Sequence, residues 1–199
     1  MLKFISSYLI IYFLLGTKKD QEAKMKLFRC RICGDPYLGE DAPSNCPFCG
    51  AARKYMVPAE EWKDENKVTL TEPSRKNLDG AISLELKNVN FYDDVSRKGQ
   101  TEVVRALFKA LKKVELEHAN LFRKLLGLEK LPEPNFPSAF KPQDLDNIKE
   151  SNKRENNAIA FYARAAKEAK EPRVIEVFTA IAQVEQTHAD ITDQMMGTR

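Results

Sequence analysis

The chain has 199 residues, which allows one or two domains. Its 32 basic and 29 acidic residues leave a net charge of +3. The two signs interleave along the sequence as on a solvated helical face, so charge gives no ground for a nucleic-acid partner. With 31% charged residues, a helical bundle of this composition stays in solution.

Residues 1–25 differ from the rest. Lys3 precedes a mainly apolar run from Phe4 to Leu15, closed by Gly16 and Lys18-Lys19. The run is short of the roughly 20 residues that span a bilayer. It has the charged and apolar parts of a signal peptide, without a small-x-small cleavage site. Three readings stand: an upstream start with Met25 the true initiator, which is favoured; a membrane anchor or signal acting through residues 1–16; or an extra ordered helix.

Residues 26–57 hold every cysteine of the chain. Cys30-Arg-Ile-Cys33-Gly34 is followed twelve residues later by Cys46-Pro-Phe-Cys49-Gly50. Each C-x-x-C makes a knuckle, and the glycine after it lets the backbone turn so that amides point at the thiolates. Two knuckles supply a tetrahedral four-sulfur site, for which iron and zinc are both candidates. A disulfide framework is the alternative use of four cysteines. The core expected here, Phe28, Ile32, Tyr37, Leu38 and Phe48, is too small to fold without the metal.

Residues 58–72 read as a linker, with one helical turn at Pro58–Trp62 and an extended Val68–Thr71. A first long helix is expected from Glu72-Pro73, capped by Thr71 or Ser74, to Lys98-Gly99. A second runs from about Thr101 to Leu126-Gly127. Pro132, Pro134, Pro137 and Pro142 then forbid helix across residues 128–142. Such a stretch suits a long crossover along a bundle. A third helix is expected from Gln143-Asp144 to about Lys170, and Pro172 opens a fourth at a favoured first-turn position. The bundle domain spans residues 73–197.

The two histidines of the chain sit in matching places, Glu115-Leu-Glu-His118 and Glu185-Gln-Thr-His188. Residues three apart share a helix face. On that face lie Val104, Phe108, Leu111, Phe122 and Leu125 in one helix and Val174, Phe178, Ile181, Thr192 and Met195 in the other. A carboxylate and an imidazole therefore occupy seam positions that should be apolar, and a bare carboxylate in a core is costly unless paired or bound to metal. Glu85 and Glu155 stand seven residues before Tyr92 and Tyr162, on seams that read Leu78, Ile82, Glu85, Val89, Tyr92 and Ile148, Asn152, Glu155, Ile159, Tyr162. All of these pairs are 70 residues apart. Segments 85–119 and 155–189 are identical at ten positions at that offset, so a helical hairpin is duplicated. Two helices giving one Glu and two giving Glu-x-x-His is the arrangement of ferritin-like di-iron and di-manganese carboxylate bundles. Four carboxylates and two divalent metals make a neutral site.

The paired knuckles joined to a duplicated Glu / Glu-x-x-His bundle resemble the rubrerythrin family in its reverse domain order, over roughly residues 26–195. The resemblance implies a mainly α fold, a ferritin-like four-helix bundle preceded by a small rubredoxin-like domain. It implies a di-iron centre on Glu85, Glu115, His118, Glu155, Glu185 and His188, with Glu115 and Glu185 as bridges. Tyr92 and Tyr162 supply hydroxyls behind the ligands, or serve as plain core tyrosines. It implies one iron, or zinc, on Cys30, Cys33, Cys46 and Cys49. The implied activity is reduction of hydrogen peroxide to water as oxidative-stress defence. Electrons pass from the four-cysteine iron to the di-iron pair, and an external NAD(P)H-linked reductase or rubredoxin feeds them in. The implied setting is a cytoplasmic homodimer, with or without domain swapping. Two departures stand out. Asn152 and Ala158 occupy the turns where many members place one more glutamate, and Asp35-Pro36 intervenes between the first knuckle and its aromatic Tyr37. Two other readings are open: a ferroxidase, iron-handling or oxidase protein using oxygen, and a zinc-knuckle binding module on a structural bundle.

Overall fold

The computed structural model describes residues 24–134 and 136–197. Of the leader, residues 1–25, all but residues 24 and 25 lie outside the described residues, so its readings are not tested there. Among those described, no helix is long and apolar enough to cross a membrane.

Four helices form the larger part: α1 (Glu72–Lys98), α2 (Glu102–Leu126), α3 (Asp144–Glu168) and α4 (Pro172–Met196). Each follows an apolar stripe, and their starts carry the signals expected. Pro73 and Pro172 sit in first turns, and the Thr101 side chain accepts the Val104 amide. Short turns join α1 to α2 and α3 to α4, so each pair is a hairpin. Between the hairpins, the crossover runs alongside α1. Phe136 lies against Lys87 and Asn90, Ser138 donates to Asp94, and Phe140 lies against Lys98.

The hairpins meet with α1 antiparallel to α3. Tyr162 bonds Glu85, Tyr92 bonds Glu155, and Asn77 donates to Glu168, so as one helix number rises its partner's falls. Two mirrored ties fix this docking. Asp144, at the start of α3, accepts the Gln100 and Thr101 amides and the Thr101 hydroxyl, each at 2.8 Å. Glu171, in the α3–α4 turn, accepts the Thr71 amide and the Ser74 hydroxyl at the start of α1. At the 70-residue offset, Ser74 matches Asp144 and Thr101 matches Glu171, so one tie is the other with donor and acceptor exchanged.

The apolar core splits into two clusters. Leu78, Phe122, Tyr162 and Phe178 belong to one, and Phe91, Tyr92, Phe108 and Ile148 to the other. A layer of charged side chains lies between them. The expected seams hold on α2. On α1 and α3 they shift by one residue: Asn88 and Ala158 are buried, while Val89 and Ile159 are half-buried. Met195 is half-buried too, in the last turn of α4.

The small part is a three-stranded antiparallel sheet, order β2-β1-β3, of β1 (Lys26–Cys30), β2 (Pro36–Gly39) and β3 (Met56–Pro58). Leu27 pairs with Leu38, and Cys30 with Met56. Ile32 is buried as expected, with Phe28 and Tyr37 partly so. Leu38 and Phe48 are not core: they are 62% and 40% exposed. A sheet this small has only one covered face, and Tyr55, Met56 and Ala51 fill it instead.

Burial opposes a charge on Glu171, yet the Ser74 hydroxyl and the Thr71 amide hold its pKa down to about 2, from 4.5. The folded-state pKa is the lower one, so this tie stabilises fully above about pH 4.5 and is lost as pH falls toward 2. Glu171→Gln should cost about 2 kcal/mol near neutral pH, the value of hydrogen bonds to a charged group. Denaturant unfolding of both proteins at several pH values checks this: the gap should narrow steadily below pH 4.5.

Candidate metal centres

The layer between the two apolar clusters gathers Glu85, Glu115, His118, Glu155, Glu185 and His188, one ligand-bearing turn from each helix. Glu115 and His118 are three residues apart on α2, as are Glu185 and His188 on α4, and the two helices run antiparallel here. Each imidazole therefore meets the glutamate of the other. His118 Nδ1 lies 3.0 Å from Glu115, 3.1 Å from Glu185 and 3.5 Å from Glu85. His188 Nδ1 lies 3.0 Å from Glu185 and 3.1 Å from Glu115. The imidazole planes are nearly parallel, with centroids 6.3 Å apart. His118 is fully buried and His188 is 6% exposed.

Two overlapping sets result: Glu85, Glu115, His118, Glu185 and Glu115, Glu155, Glu185, His188. Glu115 and Glu185 belong to both, which is the disposition of bridging carboxylates. Glu85 and Glu155 each belong to one. One oxygen of each accepts from a tyrosine, in a crossed pattern: Tyr162 donates to Glu85 and Tyr92 to Glu155. Each tyrosine thus serves the glutamate of the opposite hairpin, because antiparallel docking brings residue 92 level with 155 and 85 level with 162. Ser151 donates to the Tyr92 oxygen at 3.1 Å.

The electrostatics ask for cations. Burial, then Glu115 and Glu185, push Glu85 and Glu155 well above the ordinary carboxyl pKa. Burial opposes charge on the imidazoles too, but the carboxylates around His118 and His188 hold both well above their usual value. Burial and the facing carboxylates likewise keep Tyr92 and Tyr162 protonated. His118 Nε2 stands 3.0 Å from the Cys49 carbonyl, which can only accept, so a proton sits on Nε2. Its Nδ1 then faces oxygens of three carboxylates, and a single N–H cannot serve three. Glu85 Oε2 and Glu155 Oε2 are buried without a hydrogen-bond donor, and Glu115 Oε1 and Glu185 Oε1 have an imidazole Nδ1 at 3.1 Å but no hydrogen bond of good geometry. Four such carboxyl oxygens in a dry core fit a pair of divalent metals, and the His118–Cys49 bond is the outer contact that usually orients a ligating imidazole.

In the small part, Cys30 and Cys49 sulfurs are 3.8 Å apart, as are those of Cys33 and Cys46. All four are buried and unbridged. Gly34 and Gly50 take φ of 91° and 74°, and their amides bond back to Cys30 and Cys46. The Asp35 amide points at the Cys33 sulfur at 3.5 Å. Four thiols this close cannot all ionise without a cation among them. The donor set is that of a rubredoxin-like site.

The two centres adjoin. Besides the Cys49–His118 bond, Gly50 sits so near α4 that a Cβ on it would come within 2.6 Å of Val184. Lys124 of α2 donates to the Cys33 carbonyl, and buried Arg173 of α4 to those of Arg31 and Ile32. Sequence reasoning did not find this dock. Nor did it find Ser151 or Asn88, which lie in the site's surroundings but carry no motif.

A ferritin-like bundle with this cluster, preceded by a four-cysteine knuckle, defines a non-haem metalloprotein of the di-iron carboxylate class with a second, sulfur-ligated centre. The comparisons agree and go further. Residues 76–196 match the Rubrerythrin family and residues 28–56 match the rubredoxin-like domain of rubrerythrin. The chain belongs to the rubrerythrin family. It is 35% identical over 114 residues to Reverse rubrerythrin-1 of Clostridium acetobutylicum, a match spanning 52% of this chain and 63% of the relative. No solved structure matches.

If Glu115 and Glu185 hold both metals, Glu115→Ala or Glu185→Ala should empty the bundle while the knuckle keeps its ion. Elemental analysis of each variant checks this: bundle metal retained in both would overturn the bridging role.

Proposed function

We propose that the protein reduces hydrogen peroxide to water with electrons relayed from the four-cysteine centre to the bundle centre. The proposed ligands are Glu85, Glu115, His118, Glu155, Glu185 and His188 for a di-iron site, and Cys30, Cys33, Cys46 and Cys49 for one iron. The observation that carries the reading is the bond from His118 to the carbonyl of Cys49. It joins a residue of each centre through one hydrogen bond within a single chain.

The overall reaction takes one peroxide, two electrons and two protons to two waters. When bound, an iron pair can give both electrons to the O–O bond and a four-sulfur iron can return them singly. The protein's own groups set the stage. Tyr92 and Tyr162 keep their protons and fix the orientation of Glu155 and Glu85. His118 holds its Nε2 proton toward Cys49, which keeps Nδ1 turned into the cluster. The two apolar clusters keep bulk water from the carboxylates. Gly50 permits the close approach that the Cys49–His118 bond requires. An external reductase or rubredoxin supplies electrons, and the working unit is a cytoplasmic homodimer, with or without exchange of domains.

One feature favours the oxygen-using alternative, a ferroxidase or oxidase. Asn152 is committed to the Ala189 carbonyl, Thr192 and Asp193, and Ala158 offers a methyl group. Neither adds a carboxylate to the cluster. A zinc-binding module on a structural bundle leaves the Cys49–His118 contact without a use.

Stopped-flow mixing of fully reduced protein with peroxide, and separately with air-saturated buffer, decides between the oxidants. Oxidation should be faster with peroxide, and oxidation faster with oxygen would transfer the assignment to the oxidase. Cys30→Ser should abolish re-reduction by the external donor, while the chemically pre-reduced bundle still consumes one equivalent of peroxide. Gly50→Ala, strained by its positive φ and pressed on Val184, should keep both metal centres filled but slow internal re-reduction by about tenfold or more.

A further inference from the structure

Between α1 and α3 the surface opens into a cleft of about 430 Å³. Exposed Lys87 and Lys153 stand at its mouth, and Arg154 and Asn88 line it further in. Arg154 is held in place on three sides. Its Nε donates to Glu150 at 2.8 Å, its Nη1 reaches Asn88 Oδ1 at 3.4 Å, and its plane lies over the Phe91 ring at 4.6 Å. Three cations against the single Glu150 carboxylate make the cleft positive.

Asn88 is the anomaly. It is only 3% exposed, and its Nδ2 has no hydrogen-bond partner. A guanidinium has donors only, so the amide oxygen must be the atom that faces Arg154, and the NH₂ group is directed elsewhere. A buried donor without an acceptor is destabilising and calls for an explanation. Packing does not supply one. At the 70-residue offset the matching position is Ala158, fully buried, where a methyl group suffices. Asn88 lies one turn beyond Glu85 on the same side of α1, and Arg154 immediately precedes Glu155. The unpartnered amide thus belongs to a residue that lines the positive cleft, one helical turn from Glu85 and across from the residue before Glu155.

We propose that this cleft is the entry and binding subsite for small anions of hydroperoxide size. The lysines and Arg154 draw the anion in, and Asn88 Nδ2 donates to its outer atom. The subsite rests on the bundle centre described above and, for hydroperoxide as its ligand, on the peroxide reading. Asn88 is a ligand-positioning residue: its donor finds an acceptor only when the subsite is filled.

Sodium azide, a triatomic anion, is the probe. Titrated into the oxidised iron-loaded protein and followed by visible absorption, it should bind about tenfold more weakly to Asn88→Leu than to the unaltered chain, the loss of one good hydrogen bond. Metal content should be the same in both. Lys87→Gln with Lys153→Gln, both at exposed positions, should slow azide association and flatten its dependence on ionic strength. Unchanged azide affinity in Asn88→Leu with its metals intact would overturn the proposal. If Asn88→Leu does not fold, an unchanged association rate and salt dependence in the double lysine variant would overturn it. Azide binding that depends on Asn88, in a protein oxidised only by oxygen, would uphold the subsite and refute the peroxide reading instead.

Discussion

Four glutamates converge in the dry middle of the bundle, and the rest of the molecule is arranged around the cost of holding them there. Like charges at these distances in low dielectric repel strongly, and burial penalises each one separately. The two imidazoles, the crossed tyrosines and the split of the apolar core into two clusters are all responses to that layer. Each apolar cluster closes one side of it against water. Each tyrosine donates to one oxygen of Glu85 or Glu155 and leaves the other without a hydrogen-bond partner. A pair of divalent cations balances what remains.

Duplication accounts for how the layer is built with so few motifs. A single hairpin presents one Glu and one Glu-x-x-His and cannot neutralise or enclose them. Two copies docked antiparallel place each imidazole against the glutamate of the other copy, and each tyrosine hydroxyl behind the terminal glutamate of the other. The same symmetry recurs at the ends of the bundle, where Asp144 and Glu171 exchange donor and acceptor roles with Thr101 and Ser74. Departures from the symmetry then acquire meaning. His118 has an outer partner in the Cys49 carbonyl, and Asn88 stands where Ala158 would be sufficient.

The helices and the six-residue cluster were legible in the sequence because period and chemistry agree there. Proline at first turns, a proline-rich crossover and a repeat of 70 residues each have one ready interpretation. What was not legible arose where period alone is ambiguous. Between Glu85 and Tyr92, steps of three-then-four and four-then-three both fit a helix. Hydropathy favours Val89, whereas the bundle buries Asn88. On the small sheet, Leu38 and Phe48 looked like core because they are apolar, but a three-stranded sheet has too few positions on its covered face. The seating of the knuckle on α2 and α4 leaves no sequence trace, since most of its hydrogen bonds end on main-chain carbonyls.

Lys124, Arg173 and His118 address the carbonyl oxygens of Cys33, Arg31, Ile32 and Cys49, and Gly50 presents bare backbone to Val184. The dock reads mostly the path of the chain, with a side-chain ion pair, Arg31 to Glu176 at 3.4 Å, beside it. Most of the outer surface of the knuckle is therefore at liberty to vary without disturbing its grip on the helices. A socket of this kind tolerates substitution on the knuckle so long as the four carbonyls keep their places.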